Sequence, residues 1–138
     1  MIQKLNNRRG GFTLVEIMIV VAIIALLAAI AIPNFLRARK RSEATRVLED
    51  LRMLDSATDQ YAIENNKTTG ANPTFTDLKN YIKTGTVLYS TGSDIFGDSY
   101  GGGGTGVFTV DTLPTIPANA WTTLSDVAPY TFWSPYHN

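Results

Sequence analysis

Two apolar patterns follow one another along the chain: a solid block, then a thin stripe. Ile17 to Ile32 is an unbroken row of 16 apolar residues. Counted from Phe12 the block is 21 residues long, and its polar members are Thr13 and Glu16. As an α-helix it would be roughly 30 Å long, one hydrocarbon thickness, so it predicts a membrane span. Pro33 follows at once and removes a backbone donor. It predicts a kink near 29–33 rather than a helix end, because Asn34 to Arg41 carry no turn signal. Beyond it, Ala44, Val47, Leu48, Leu51, Leu54, Ala57, Tyr61 and Ala62 recur at helical spacing. That is one apolar stripe on an amphipathic helix. Its other face carries Glu43, Arg46, Glu49, Asp50, Arg52, Asp55 and Asp59 and is expected to be solvated. Asn65-Asn66 and the polar run to Gly70 end the helix near Glu64.

A stripe of Leu and Tyr is not left in water, and 71–138 is the stretch available to cover it. Thr74 to Asp77 reads as a capping box opening a short helix 75–83, with Phe75, Leu78 and Ile82 on one face and Gly85 at its end. Thr86 to Ser90 is a short strand or an extended link. Gly106 to Val110 and Tyr130 to Trp133 are rich in aromatic and β-branched residues and are expected to be strands. Four prolines, Pro114, Pro117, Pro129 and Pro135, confine the remainder to loops and edges. Gly101 to Gly104 is expected to be a flexible connection; no Lys-Ser/Thr follows it as in a phosphate loop. Trp121, Tyr130, Phe132, Trp133 and Tyr136 are expected to cover the stripe rather than form a binding face. The fold class is therefore α+β: a long N-terminal helix whose outer half packs on a small antiparallel sheet.

Charge changes the picture in one place. The chain is neutral overall, with 12 basic and 12 acidic side chains. Three of the bases, Lys4, Arg8 and Arg9, precede the apolar block, and without residues 1–11 the side chains sum to −3. Nothing there points to nucleic acid. Arg37, Arg39, Lys40 and Arg41 flank the far end of the block, so positive charge alone does not orient the span. There are no cysteines, so the domain must hold by packing, alone or with a metal. The single histidine, His137, stands next to the C-terminus and suggests no catalytic constellation. Asn66-Lys67-Thr68 is a formal glycosylation triplet that is not taken as a site. Glu16 is the anomaly, because a carboxylate at an apolar span is costly. Either it reaches the headgroup interface, or it has a positive partner inside a protein assembly.

The run Gly11-Phe12-Thr13-Leu14-Val15-Glu16, after a basic leader and before an apolar block, resembles the type III signal of type IV pilins and pseudopilins. Pro33 also matches a proline common there. The resemblance implies a cleaved leader 1–11, a transmembrane and assembly helix 12–36, and a pilin-like domain 37–138 that includes the helix to about 64. It implies cleavage by a prepilin peptidase between Gly11 and Phe12, and methylation of the Phe12 amine. Glu16 would neutralise the Phe12 amine of a neighbouring subunit. The implied partners are identical subunits in a polymer, the peptidase, an inner-membrane assembly platform and membrane lipid. The implied place is the bacterial inner membrane, single-pass with the C-terminal domain in the periplasm, or an extracellular filament after assembly. No enzymatic activity is expected.

The lack of a C-terminal disulfide departs from many type IV pilins and favours a pseudopilin that drives type II secretion. Asp94 to Tyr100 favours it too, resembling the Asp-Pro-Trp-Gly-Asn-Pro-Tyr stretch of major pseudopilins at Asp94, Gly97 and Tyr100. The alternatives are a type IV pilus subunit for adhesion, motility or DNA uptake, and a signal-anchored periplasmic domain that never polymerises. No cofactor is expected. Calcium is carried only as a candidate at Asp94, Asp98 and Asp111, which also suit plain turns.

Overall fold

The structure, a computed structural model, describes residues 10–136. Lys4, Arg8, Arg9 and His137, and the leader up to residue 9, lie outside the described residues. Helix α1 runs from Leu14 to Glu64 and carries Pro33 in its interior rather than at its end. The chain divides into two compact units, one reaching to Leu36 and one starting at Arg37.

In the first unit the apolar side chains are in the open. Ile17, Val21, Ile24, Leu27 and Ile30 are each at least half exposed, and none of the apolar window is buried against protein. The helix is long and apolar enough to cross a membrane.

In the second unit α1 buries the predicted stripe. Ala44, Val47, Leu48, Leu51, Leu54 and Ala57 are buried, and Thr58 joins them by returning its hydroxyl to Leu54 O at 2.8 Å. Tyr61 and Ala62 are half-buried. The helix stops as the breakers predict: Asn66 adopts φ +49°, and Lys67 N–H reaches back to Ala62 O at 2.9 Å.

The cover is helical, and this corrects the expected sheet. It consists of α2 (Phe75–Leu78) continued by a 3₁₀ turn Lys79–Tyr81, α3 (Val87–Thr91), α4 (Ala118–Leu124) and α5 (Tyr130–Trp133). Among the described residues there is no β-strand, only isolated antiparallel bridges Thr74–Val107 and Ser93–Ser99.

The first bridge shows why the sheet fails. Residues 70–75 and 106–110 run antiparallel and share four backbone bonds, among them Phe108 N–H to Pro73 O and Val110 N–H to Ala71 O, both 2.9 Å. Pro73 has no N–H to return, and Gly106 (φ +69°) bends the other side, so the ladder does not propagate. Tyr130 to Trp133 has β-type composition, but Pro129 starts a helical turn there, with Phe132 N–H on Pro129 O at 2.8 Å. Aromatic β-propensity is mostly a fit to a half-buried surface, which one turn of helix supplies equally well. Thr86 to Ser90 is likewise helical, capped by Thr86 Oγ1 accepting from Tyr89 N–H.

The predicted capping box is present: Asp77 accepts from Thr74 N–H at 2.8 Å and from Thr74 Oγ1 at 2.7 Å. Trp133 and Tyr136 are buried in the core as expected, with Leu78, Ile82, Leu88, Tyr100, Phe108 and Leu124. Of the other aromatics, Trp121 and Phe132 only border the core, and Tyr130 is 60% exposed. The glycine run is no loose connection. Gly102–Gly104 forms a 3₁₀ turn, and Gly102 N–H bonds Val107 O at 2.9 Å. Gly101, at φ +98°, lies so close to Val107 that a Cβ there would sit 2.6 Å from its carbonyl oxygen.

The charged face of α1 is not uniformly solvated either. Tyr100 Oη donates to Asp50 Oδ2 at 3.0 Å, and Tyr136 Oη to Asp55 Oδ2 at 3.4 Å. Burial raises the pKa of Asp50 against the opposing pull of that Tyr100 bond, and burial also pushes the Tyr100 hydroxyl well above its usual range.

Candidate functional site

The residues singled out for processing and assembly meet at the start of α1. Gly11 is exposed, and a Cβ added there would meet nothing within 4 Å. The fold makes no demand for glycine at this position. A requirement for a small residue would have to come from another molecule. Phe12 is 85% exposed.

Thr13 caps the helix. Its N–H and hydroxyl both donate to Glu16 Oε2, at 2.7 and 2.9 Å, and Glu16 N–H donates to Thr13 Oγ1 at 3.2 Å. This is a reciprocal capping box, which satisfies orphan donors at the first turn. It also holds one carboxylate oxygen of Glu16 against the N-terminus of its own helix. Both side chains are exposed, one turn from Phe12. A cation approaching the carboxylate would meet a group already fixed in direction. Thr13 was missed as a member of the site, although Thr-x-x-Glu before an apolar run is a legible signal.

The three aspartates considered for calcium have separate local jobs. Asp94 Oδ1 accepts from Phe96 N–H (2.8 Å) and Asp98 N–H (2.9 Å), closing a tight turn around Gly97 at φ +89°. Asp98 accepts from Asn119 N–H at 3.1 Å and from its Nδ2 at 2.8 Å, tying that turn to α4. Asp111, at φ +62°, accepts from the Thr69 hydroxyl. Among the described residues no group of three or more His, Cys, Asp or Glu is gathered as a metal would require. Asp94, 3% exposed, keeps Oδ2 without a partner. Burial is the first cause that raises its pKa. The matched residues Asp94, Gly97 and Tyr100 thus build a turn and anchor it on Asp50.

Residues 6–32 match the model of the prokaryotic N-terminal methylation motif. The chain is 44% identical to the type IV major pilin protein PilA of Myxococcus xanthus over 66 residues, 48% of this chain and 30% of that protein. It is 51% identical to the type IV wide pilus major component PilA4 of Thermus thermophilus over 59 residues, 43% of this chain and 45% of that protein. It is 33% identical to the type II secretion system core protein G of Aeromonas hydrophila over 62 residues, 45% of this chain and 43% of that protein. The chain thus spans less than half the length of these curated relatives. No solved structure matches it. The likeness thus lies in the N-terminal stretch, which matches the methylation motif and is similar to stretches of type IV pilus components and of a secretion core protein G.

Proposed function

We propose that this chain is a structural subunit of a helical, membrane-anchored filament, the pseudopilus of a type II secretion system. One observation carries the reading: an exposed apolar helix, preceded by exposed Phe12, with a carboxylate, Glu16, oriented at its first turn. A lipid anchor needs the apolar length but not the acid. A filament needs both. A prepilin peptidase would cut after Gly11 and methylate Phe12. The new amine of one subunit then enters an apolar core as a cation, and Glu16 of its neighbour offsets that desolvation and sets the axial step. The contact runs head to tail, so it propagates without closing. The subunit is stored in the inner membrane, with its outer domain in the periplasm, until an assembly platform extracts it.

The second reading is a type IV pilus. It is favoured by the pilus components related at 44% and 51% identity. Deleting the gene separates the two: loss of secreted proteins with intact surface pili supports secretion, and the converse supports the pilus. The filament reading itself is tested with Glu16→Leu. That variant should be cleaved and inserted normally yet fail to extend filaments. Sheared filaments of normal length and number would refute it and leave Glu16 as an interfacial residue.

A further inference from the structure

We propose that a cleft between α1 and the α4–α5 connection binds the phosphate of an anionic phospholipid headgroup. The cleft is open, about 640 Å³, and is lined by Arg37, Ala38, Arg41, Asp126 and Val127. Arg37 and Arg41 are four apart and so share one face of α1. Two other cations of the same cluster are already neutralised. Arg39 pairs with Glu43 at 2.9 Å, and Lys40 with Asp126 at 2.9 Å. The Lys40–Asp126 bridge also pins the α4–α5 connection against α1, which forms the far wall of the cleft; Asp126, the one acid in the lining, bonds Lys40 first and feels the Arg37 charge more weakly. Among the described residues no carboxylate lies at ion-pair distance from Arg37 or Arg41. Two arginines beside the apolar lining residues Ala38 and Val127 suit a phosphodiester with a hydrocarbon root.

The occupant follows from position. Arg37 comes directly after Phe35 and Leu36, the exposed end of the apolar run. A bilayer around that run would bring headgroups to the next turn at high local concentration, whereas a soluble phosphate has no such help. The inference rests on the reading of Leu14 to Leu36 as lying in a membrane.

The experiment reconstitutes the full chain in phosphatidylcholine vesicles with spin-labelled phosphatidylglycerol or phosphatidylcholine as probe. The motionally restricted fraction gives a relative association constant. The wild type should prefer phosphatidylglycerol, and Arg37→Gln/Arg41→Gln should lower that preference by at least about fivefold, near the value of one surface cation. Arg46→Gln/Arg52→Gln, the same charge change farther along α1, should keep it. Equal association of both lipids with the wild type overturns the proposal, as does an equal loss in both double variants. Excess inorganic phosphate at constant ionic strength should leave the preference in place; its abolition would identify a phosphate site without lipid selectivity and overturn the lipid assignment. Retention on alkaline extraction is scored separately. A chain that washes off refutes the membrane reading and this inference together, while a retained chain without lipid preference refutes this inference alone.

Discussion

Replacing Asp94 by Asn should stabilise the outer domain at neutral pH, against the usual expectation for a buried hydrogen-bonded residue. The carboxylate holds its turn through Oδ1 alone. Asn keeps that acceptor and puts a neutral NH2 where the charged Oδ2 stood, still unpartnered but cheaper to bury than a charge. What the charge costs is visible at Oδ2, buried and without a partner, with Asp98 and Asp50 adding like charge nearby. A buried unsatisfied polar group costs about 1–3 kcal/mol, more when charged. The stronger charge-assisted bonds at Oδ1 offset part of that, so a net gain of about 1 kcal/mol is expected. For a domain of this size that is a rise of roughly 4–8 °C in Tm.

The pH dependence has a definite sign. The folded pKa of Asp94 is raised above the ordinary value of 3.8. The neutral acid therefore contributes stability that is fully present below 3.8 and is lost as pH rises through the higher folded pKa. The gain from Asn should thus vanish in acid and reach its full size at pH 8. Asp94→Ala, which also strips the acceptor from two N–H groups, should instead be destabilising by about 1–3 kcal/mol. Thermal unfolding followed by circular dichroism, on a fragment beginning at Arg37, measures all three proteins. An Asn variant less stable than wild type at pH 8, or a difference that does not change with pH, would refute the reasoning.

Leu51→Ala, at a fully buried position of the α1 stripe, should cost about 2–5 kcal/mol in urea unfolding of the same fragment. A change under about half a kcal/mol would mean the stripe is not covered in solution. Gly101→Ala combines a positive φ with a Cβ 2.6 Å from a carbonyl oxygen and should destabilise by more than about 1 kcal/mol in the same assay. Gly11→Phe should leave the fold untouched, since nothing stands near that position, yet stop processing; intact mass should show wild type beginning at N-methylated Phe12 and the variant uncut.

Much of the helical part was legible because its signals are local. The stripe from Ala44 to Ala57, the Thr74–Asp77 box and the stop at Asn66 each follow from spacing or from one side chain on one backbone group. The sheet was misread because strand pairing depends on a partner far along the chain. Gly106 to Val110 has suitable residues, but its partner contains Pro73. α4 went unpredicted because seven residues with three polar members, Asn119, Thr122 and Thr123, give little periodicity; Pro117 ahead of Ala120 and Leu124 was the available cue. At the candidate site, Gly11, Phe12 and Glu16 were singled out from the motif, and Thr13, which caps the helix against Glu16, was overlooked as filler between them. Asp50 was assigned to solvent because a charge on the polar face of a helix gives no sign that a tyrosine fifty residues later will reach it.

The lack of a strand ladder matters for crowding. Subunits held side by side in two dimensions meet one another constantly, and an open strand edge is a template on which neighbours can pair irreversibly. Short helices and closed turns spend their backbone donors and acceptors internally, so the described part of the outer domain presents no extended edge to copy. If the proposed filament reading holds, a pool of such subunits would remain an exchangeable reservoir, and the contacts that commit it to a polymer would be left to Phe12 and Glu16.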